Sequence, residues 1–194
     1  MKIFMKQGGT AGEFLEFYPS LTDREYLSGT FFYSSLTSTK LRMKMRKVVI
    51  IGAGHVGSHC GYALAHSGIA GEIVLVDVDK DKAHAQALDI ADSVSFCERE
   101  TVVRDGDYKD CEDAALVVVA IGEARKPGQT RLDTLGASIE CVKDVVDNLN
   151  KITVGGIIIT ITNPADIIAD YVRKGLDMPK NQVFSTGTSL DTAR

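Results

Sequence analysis

The segment Gly52-Ala53-Gly54-His55-Val56-Gly57 stands directly after the β-branched run Val48-Val49-Ile50-Ile51 and directly before a stretch with helical spacing. Few architectures place a strand, a glycine turn and a helix in that order. At such a crossing Gly52 makes the tight turn, Gly54 lets backbone approach a pyrophosphate, and Gly57 lets the helix pack closely on the strand. The first helical amides then face the phosphate charge. A lone G-x-G-x-x-G is weak evidence, and the discriminating feature is an acid at the end of the next strand. Ile73-Val74-Leu75-Val76-Asp77 supplies it. The Asp77 carboxylate is suited to accept both hydroxyl protons of an adenosine ribose and to repel a 2′-phosphate, which favours NAD over NADP as cofactor.

The rest of the chain continues the alternation. Short apolar runs at 48–51, 73–76, 102–103, 116–121 and 157–161 are separated by helical stretches at 55–66, 80–93, 133–150 and 165–174. The runs are continuous rather than alternating, as in strands buried on both faces. With right-handed crossovers this predicts an α/β fold, a Rossmann-type doubly wound parallel sheet. Residues 1–44 read differently. They are rich in Gly, Ser and Thr and show no sustained period, and two internal methionines, Met43 and Met45, stand at their junction with the first strand. They are expected to be an irregular extension or a misplaced start, with an NAD-binding Rossmann domain over 45–163 and the start of a substrate domain over 164–194.

Composition narrows the partners. A formal charge of −4 gives no basic stripe for nucleic acid. Cys60, Cys97, Cys111 and Cys141 form no C-x-x-C pair, so they read as reduced thiols. No run approaches the ~20 apolar residues of a membrane helix, and no secretory cleavage pattern opens the chain. A cytoplasmic protein with a small-molecule ligand is the expectation. His55 and His59 share the spacing of a metal pair but lack the glutamate of an H-E-x-x-H arrangement, so no metal is expected.

Three further segments carry a resemblance: Gly122-Glu123-Ala124-Arg125-Lys126-Pro127-Gly128-Gln129-Thr130-Arg131, Thr162-Asn163-Pro164-Ala165-Asp166, and Gly187-Thr188-Ser189-Leu190-Asp191-Thr192-Ala193-Arg194. In this order, after the glycine turn, they resemble the L-lactate/malate dehydrogenase family from Lys47 to the last residue. The resemblance implies roles residue by residue. Arg131 would enter the closed site on a mobile loop and polarise the substrate carbonyl. Arg194 would grip the substrate carboxylate with two parallel hydrogen bonds. Asn163 would contact both nicotinamide and substrate, with Thr162 beside the cofactor, and Asp191 would orient a catalytic histidine as it charges. Val56, Lys82, Tyr108, Gly122, Glu123 and Thr186 match positions that line the cofactor, although relatives mostly carry a small residue in place of Glu123.

In that family the proton-transferring histidine stands in a His-Gly-Asp context beyond the Asp-x-Ala-Arg motif, and this sequence ends at that arginine. His55, His59, His66 and His84 match no such position. The resemblance therefore implies an NAD-dependent oxidoreductase whose base is not among these residues, and the residues alone would be inactive. A full-length relative would be a homo-oligomer acting on a 2-oxo or 2-hydroxy acid. Arg125 falls where lactate enzymes present an amide and malate enzymes an arginine. A guanidinium closed over pyruvate's methyl would be stranded at a cost on the order of several kcal/mol, whereas Thr130-Arg131-Leu132-Asp133 and Gly187-Thr188-Ser189-Leu190-Asp191 look like the lactate branch. L-Lactate is the leading substrate and malate the alternative. A non-catalytic NAD-binding module is the competing class.

Overall fold

The computed structural model describes residues 46–97, 101–122, 128, 135–187 and 189–193, the side chains of 135, 137, 190 and 191 apart. In chain order they form β1 (Lys47–Ile51), α1 (His55–Ser67), β2 (Glu72–Val76), α2 (Lys80–Ser93), β3 (Val102–Asp105), a 3-10 turn (Tyr108–Cys111), β4 (Leu116–Val119), α3 (Leu135–Leu149), β5 (Ile157–Thr160), α4 (Ala165–Gly175), β6 (Val183–Ser185) and α5 (Ser189–Ala193). The six strands lie in one parallel sheet of order β3-β2-β1-β4-β5-β6. The Rossmann-type doubly wound sheet expected from the sequence is the fold.

Strand periodicity divides the core between two helix layers. Val49, Ile51, Val74, Val76, Val117 and Val119 point to the face covered by Val142, Val146 and Leu149 of α3 and by Ile168 and Val172 of α4. Val48, Ile50, Ile73 and Leu75 point the other way, onto Ala65 of α1 and Ala87 and Ile90 of α2. Both faces are buried along the inner strands, so β1, β2 and β4 read as continuous apolar runs, mostly Val and Ile, after their first residues. The helices on the second face meet the sheet through small residues: Gly57, Ser58, Gly61 and Ala65 on α1, then Ala83 and Ala87 on α2.

Two expectations shift. The runs at 116–121 and 157–161 leave the sheet early, at Val119 and Thr160. The Ile121 amide donates to the Thr162 hydroxyl at 3.1 Å instead of continuing the ladder. The boundary expected after Asn163 also falls inside the sheet. α4 crosses over from β5, and β6 pairs in parallel with it, Ile158 opposite Val183 and Thr160 opposite Ser185. A three-residue strand shows no period in the sequence, so residues 165–185 read as a new domain when they extend the first one. Residues 1–44 lie outside the described residues.

Candidate active site at the carboxyl edge of the sheet

Strand order reverses between β1 and β4, and the chains leaving them diverge to opposite sides of the sheet. A cleft opens at such a point. Here it has a volume of about 430 Å³ and is walled by Gly52 and Gly54 after β1, Asp77 after β2, and Ile121 and Gly122 after β4. That volume lies within the range of roughly 300–1,000 Å³ of small-molecule sites.

The glycines of the turn do three different things. Gly52 adopts φ +105°, and a Cβ there would stand 2.4 Å from the Ala120 carbonyl oxygen. At Gly57 a Cβ would stand 1.8 Å from the Gly52 oxygen, so α1 reaches the strand only because that atom is missing. Around Gly54 nothing among the described residues lies within 4 Å of the same position. The N-terminus of α1 carries no side-chain cap and no acidic residue in its first turn. Open space above uncapped amides suits a phosphate group.

Asp77 closes this side of the cleft. Its side chain is 9% exposed. Oδ2 accepts from the Ala53 amide at 2.7 Å and from Lys82 Nζ at 3.2 Å, while Oδ1 accepts from the Asp79 amide at 3.0 Å. Burial opposes its ionisation, yet the amides of Asp79 and Ala53 and the Lys82 ammonium together hold the carboxyl below the usual carboxylate range. With two lone pairs per oxygen, Oδ2 is saturated and Oδ1 keeps one open position. A ribose diol that engages both oxygens needs Lys82 to withdraw, and that side chain is 43% exposed.

The opposite wall rests on Thr162. Its buried hydroxyl accepts from the Ile121 amide and donates to the Ile121 carbonyl at 2.7 Å, tying the exits of β4 and β5 together. Gly122 adopts φ +142°, and a Cβ there would stand 3.8 Å from Thr162 Cγ2. Asn163 is exposed and precedes Pro164 through a cis peptide. Thr186 is exposed, and its amide donates to the Thr160 carbonyl at 3.1 Å. Tyr108 stands half-buried at the back of the cleft, where burial first and the charge of Asp144 second push its phenol up to about 12.

The cleft thus gathers Gly52, Gly54, Asp77, Lys82, Tyr108 and Gly122. Val56 sits exposed on the first turn of α1, outside the cleft lining. Glu123, Arg125, Arg131 and Arg194 lie outside the described residues, and Asp191 falls on α5 with its side chain likewise undescribed. Sequence reading passed over Cys141 and Asp144, which α3 brings to the wall. The available signal was the amphipathic pattern of that helix, where Cys141 stands one turn before the buried Val145 and Asp144 directly before it. None of the four histidines lines the cleft: His55 and His59 are exposed on α1, His66 ends that helix, and His84 pairs with Asp105 at 2.9 Å. Among the described residues no group of three His, Cys, Asp or Glu could hold a metal ion, and no helix is long and apolar enough to cross a membrane.

Comparison with known proteins points the same way as the geometry. A family model for the lactate/malate dehydrogenase NAD-binding domain matches residues 46–185. L-Lactate dehydrogenase 3 of Bacillus cereus is 41% identical over 154 residues, 79% of this chain and 49% of its own length. Among solved structures, the ligand-bound minor L-lactate dehydrogenase of Enterococcus mundtii matches with a TM-score of 0.72 at 38% identity, covering 76% of this chain and 47% of that one. Lactate dehydrogenase of Cryptosporidium parvum, solved with lactic acid and nicotinamide adenine dinucleotide, matches with a TM-score of 0.68 at 25% identity over 73% of this chain and 44% of its own. The chain spans about half the length of the curated relatives it matches.

Proposed function

Because the chain belongs to the lactate/malate dehydrogenase family through its NAD-binding domain, we propose that its cleft holds NAD for hydride exchange with a small L-2-hydroxy acid, L-lactate first among them. The observation that carries this reading is a juxtaposition across one cleft. Open space over Gly54 and the uncapped start of α1 face the ionised carboxylate of Asp77. The spacing suits a ligand with a phosphate at one point and a diol at another.

Bound NAD supplies a hydride acceptor at its nicotinamide ring. The chain supplies binding and orientation. The amides opening α1 would meet the pyrophosphate, Asp77 would hold the ribose, and Lys82 and Tyr108 would line the cofactor beside it. Gly122, Glu123 and Thr186 would line the cofactor as well. Thr162 fixes the exits of β4 and β5, from which Asn163 reaches the substrate. Arg131 polarises the carbonyl, Arg194 clamps the carboxylate, and Asp191 orients a histidine base. With no histidine of this chain at the cleft, the 194 residues hold the cofactor without turning over.

Malate is the second reading, and Arg125 favours it, since a guanidinium there finds its partner in the second carboxylate of oxaloacetate. Titration calorimetry of the 194-residue chain with NAD tests the cofactor site, and absence of saturable binding removes the proposal. Steady-state kinetics of the complete protein with pyruvate and oxaloacetate settle the substrate. A preference for oxaloacetate that Arg125→Gln reverses would replace lactate by malate.

A further inference from the structure

Far from the cleft, the C-terminal ends of α1 and α2 bring together three side chains that the proposed reaction does not use. His66 lies on the last turn of α1, about 16 Å along the helix from His55 at its start. Its Nε2 is 3.2 Å from Ser93 Oγ, on the last turn of α2, and its Nδ1 is 3.9 Å from Sγ of Cys97 in the turn that follows. Tyr62 packs against the imidazole with ring centroids 4.2 Å apart.

The hydrogen bonds fix the tautomer. Ser93 Oγ donates its one proton to the Ile90 carbonyl at 2.7 Å. It therefore offers only lone pairs to His66, so Nε2 carries the imidazole proton and Nδ1 is the free acceptor. That acceptor is the nitrogen that faces the Cys97 thiol. An imidazole oriented by a third group, with its basic nitrogen against a nucleophile, is the arrangement that activates cysteine. Cys97 and His66 are both exposed, so a reagent in solution reaches them. The other cysteines lack this setting. Cys111 is buried, and burial pushes its thiol up to about 12. Cys60 is half-buried, with burial again raising its thiol. Cys141 is exposed at the cleft and has no imidazole contact among the described residues.

We propose that Cys97, with His66 as its base, is a site of thiol–disulfide exchange with small disulfides, separate from the cofactor cleft and independent of the reading given for it. The thiol proton passes to His66 Nδ1 as the sulfur attacks one sulfur of the disulfide. A new S–S bond forms at Cys97 and the old one breaks. The departing thiolate takes the proton back from the imidazolium and leaves as a thiol. Cys97 is oxidised, the released thiol is the reduced product, and no other reactant enters.

The 194-residue chain, free of NAD, is exposed to 2-hydroxyethyl disulfide and the mixed disulfides are followed by mass spectrometry with peptide mapping. Cys97 is expected to react about tenfold faster than Cys141 near neutral pH. His66→Gln should bring it down to the Cys141 rate. That variant should also change the pH profile to one that climbs steadily with hydroxide. Ser93→Ala keeps the imidazole but frees its tautomer, and an intermediate rate is expected, which gives a second reading if the first variant fails to fold. Equal rates for Cys97 and Cys141 in the unsubstituted chain overturn the proposal, as does a pH profile that His66→Gln and Ser93→Ala leave unmoved.

Discussion

On the β1–β2 wall of the cleft the shape is set by side chains that are absent, whereas on the β4–β5 wall it is set by one that is present, the Thr162 hydroxyl. Gly52 and Gly57 bring backbone within contact where any Cβ would collide, and the resulting turn presents the Ala53 amide to Asp77. Across the cleft, strands β4 and β5 stop pairing and a single buried hydroxyl takes up both polar groups of Ile121. The two devices fail differently. A steric device fails when an atom is added, and failure displaces backbone; a hydrogen-bonding device fails when an atom is removed, and failure strands a polar group.

That contrast gives the two largest expected effects. Gly57→Ala places a methyl 1.8 Å from the Gly52 carbonyl oxygen and 3.3 Å from Ile50 Cγ2. The contact is with backbone, which cannot rotate away, so α1 must lift from the sheet. Destabilisation upwards of about 3 kcal/mol is expected from overpacking at such a site, read as a large fall in the urea midpoint. A midpoint close to that of the parent would mean the turn is far more plastic than its geometry implies. Thr162→Val conserves volume and leaves the Ile121 amide without its partner. The expected loss is about 1–3 kcal/mol, and hydrogen exchange at the Ile121 amide should quicken more than exchange in β1. Equal acceleration of both strands would show that the hydroxyl acts on the whole sheet and not on one wall.

The same contrast explains what could be read from the sequence. The β1–β2 wall was legible because glycine spacing and a strand-end acid are statements about backbone, and Gly52, Gly57 and Asp77 occupy the places that spacing implies. The strands were legible because burial on two faces leaves a continuous β-branched run, and α2 occupies the expected 80–93 span. The ends of β4 and β5 were not, since apolar Ile121 and Ile161 extend the run while a side chain on the neighbouring segment interrupts the ladder. β3 runs two residues past Val103 because it is an edge strand, where Arg104 reaches Glu72 and Asp110 and needs no apolar neighbour. β6 and the 3-10 turn at Tyr108 are too short to show a period. The roles of Glu123, Arg125, Arg131, Asp191 and Arg194 rest on resemblance to the family and on the experiments proposed for them.

A smaller effect separates the charge of Asp77 from its shape. Its folded-state carboxyl titrates below the unfolded value, so the stability it contributes is present above the ordinary aspartate range and is lost as pH falls through the folded value. Asp105, Asp110 and Asp170 are lowered as well, so the whole protein loses stability in acid and the contribution of Asp77 must be read by difference. The gap in unfolding free energy between the parent and Asp77→Asn should be widest above about pH 5 and should narrow towards about pH 3. A gap that stays constant over that interval would assign the effect to amide geometry, leaving no share to the ionised carboxylate.

The smallest effect on stability, and the one that joins the wall to its ligand, is expected at Gly54. Its φ of −74° is open to any residue, and a Cβ there meets nothing within 4 Å among the described residues. Gly54→Ala should therefore leave the urea midpoint within about 0.5 kcal/mol of the parent. The methyl would nonetheless stand in the space assigned to the pyrophosphate. Affinity for NAD should fall about tenfold, equivalent to about 1.4 kcal/mol, while ADP-ribose falls in parallel and adenosine, which carries no phosphate, is nearly unaffected. The pair Gly57→Ala and Gly54→Ala thus divides one glycine motif into a folding position and a binding position three residues apart. A loss of stability at Gly54 comparable to that at Gly57 would erase the division. Unchanged affinity with unchanged stability would leave the wall as described and move the phosphate away from it.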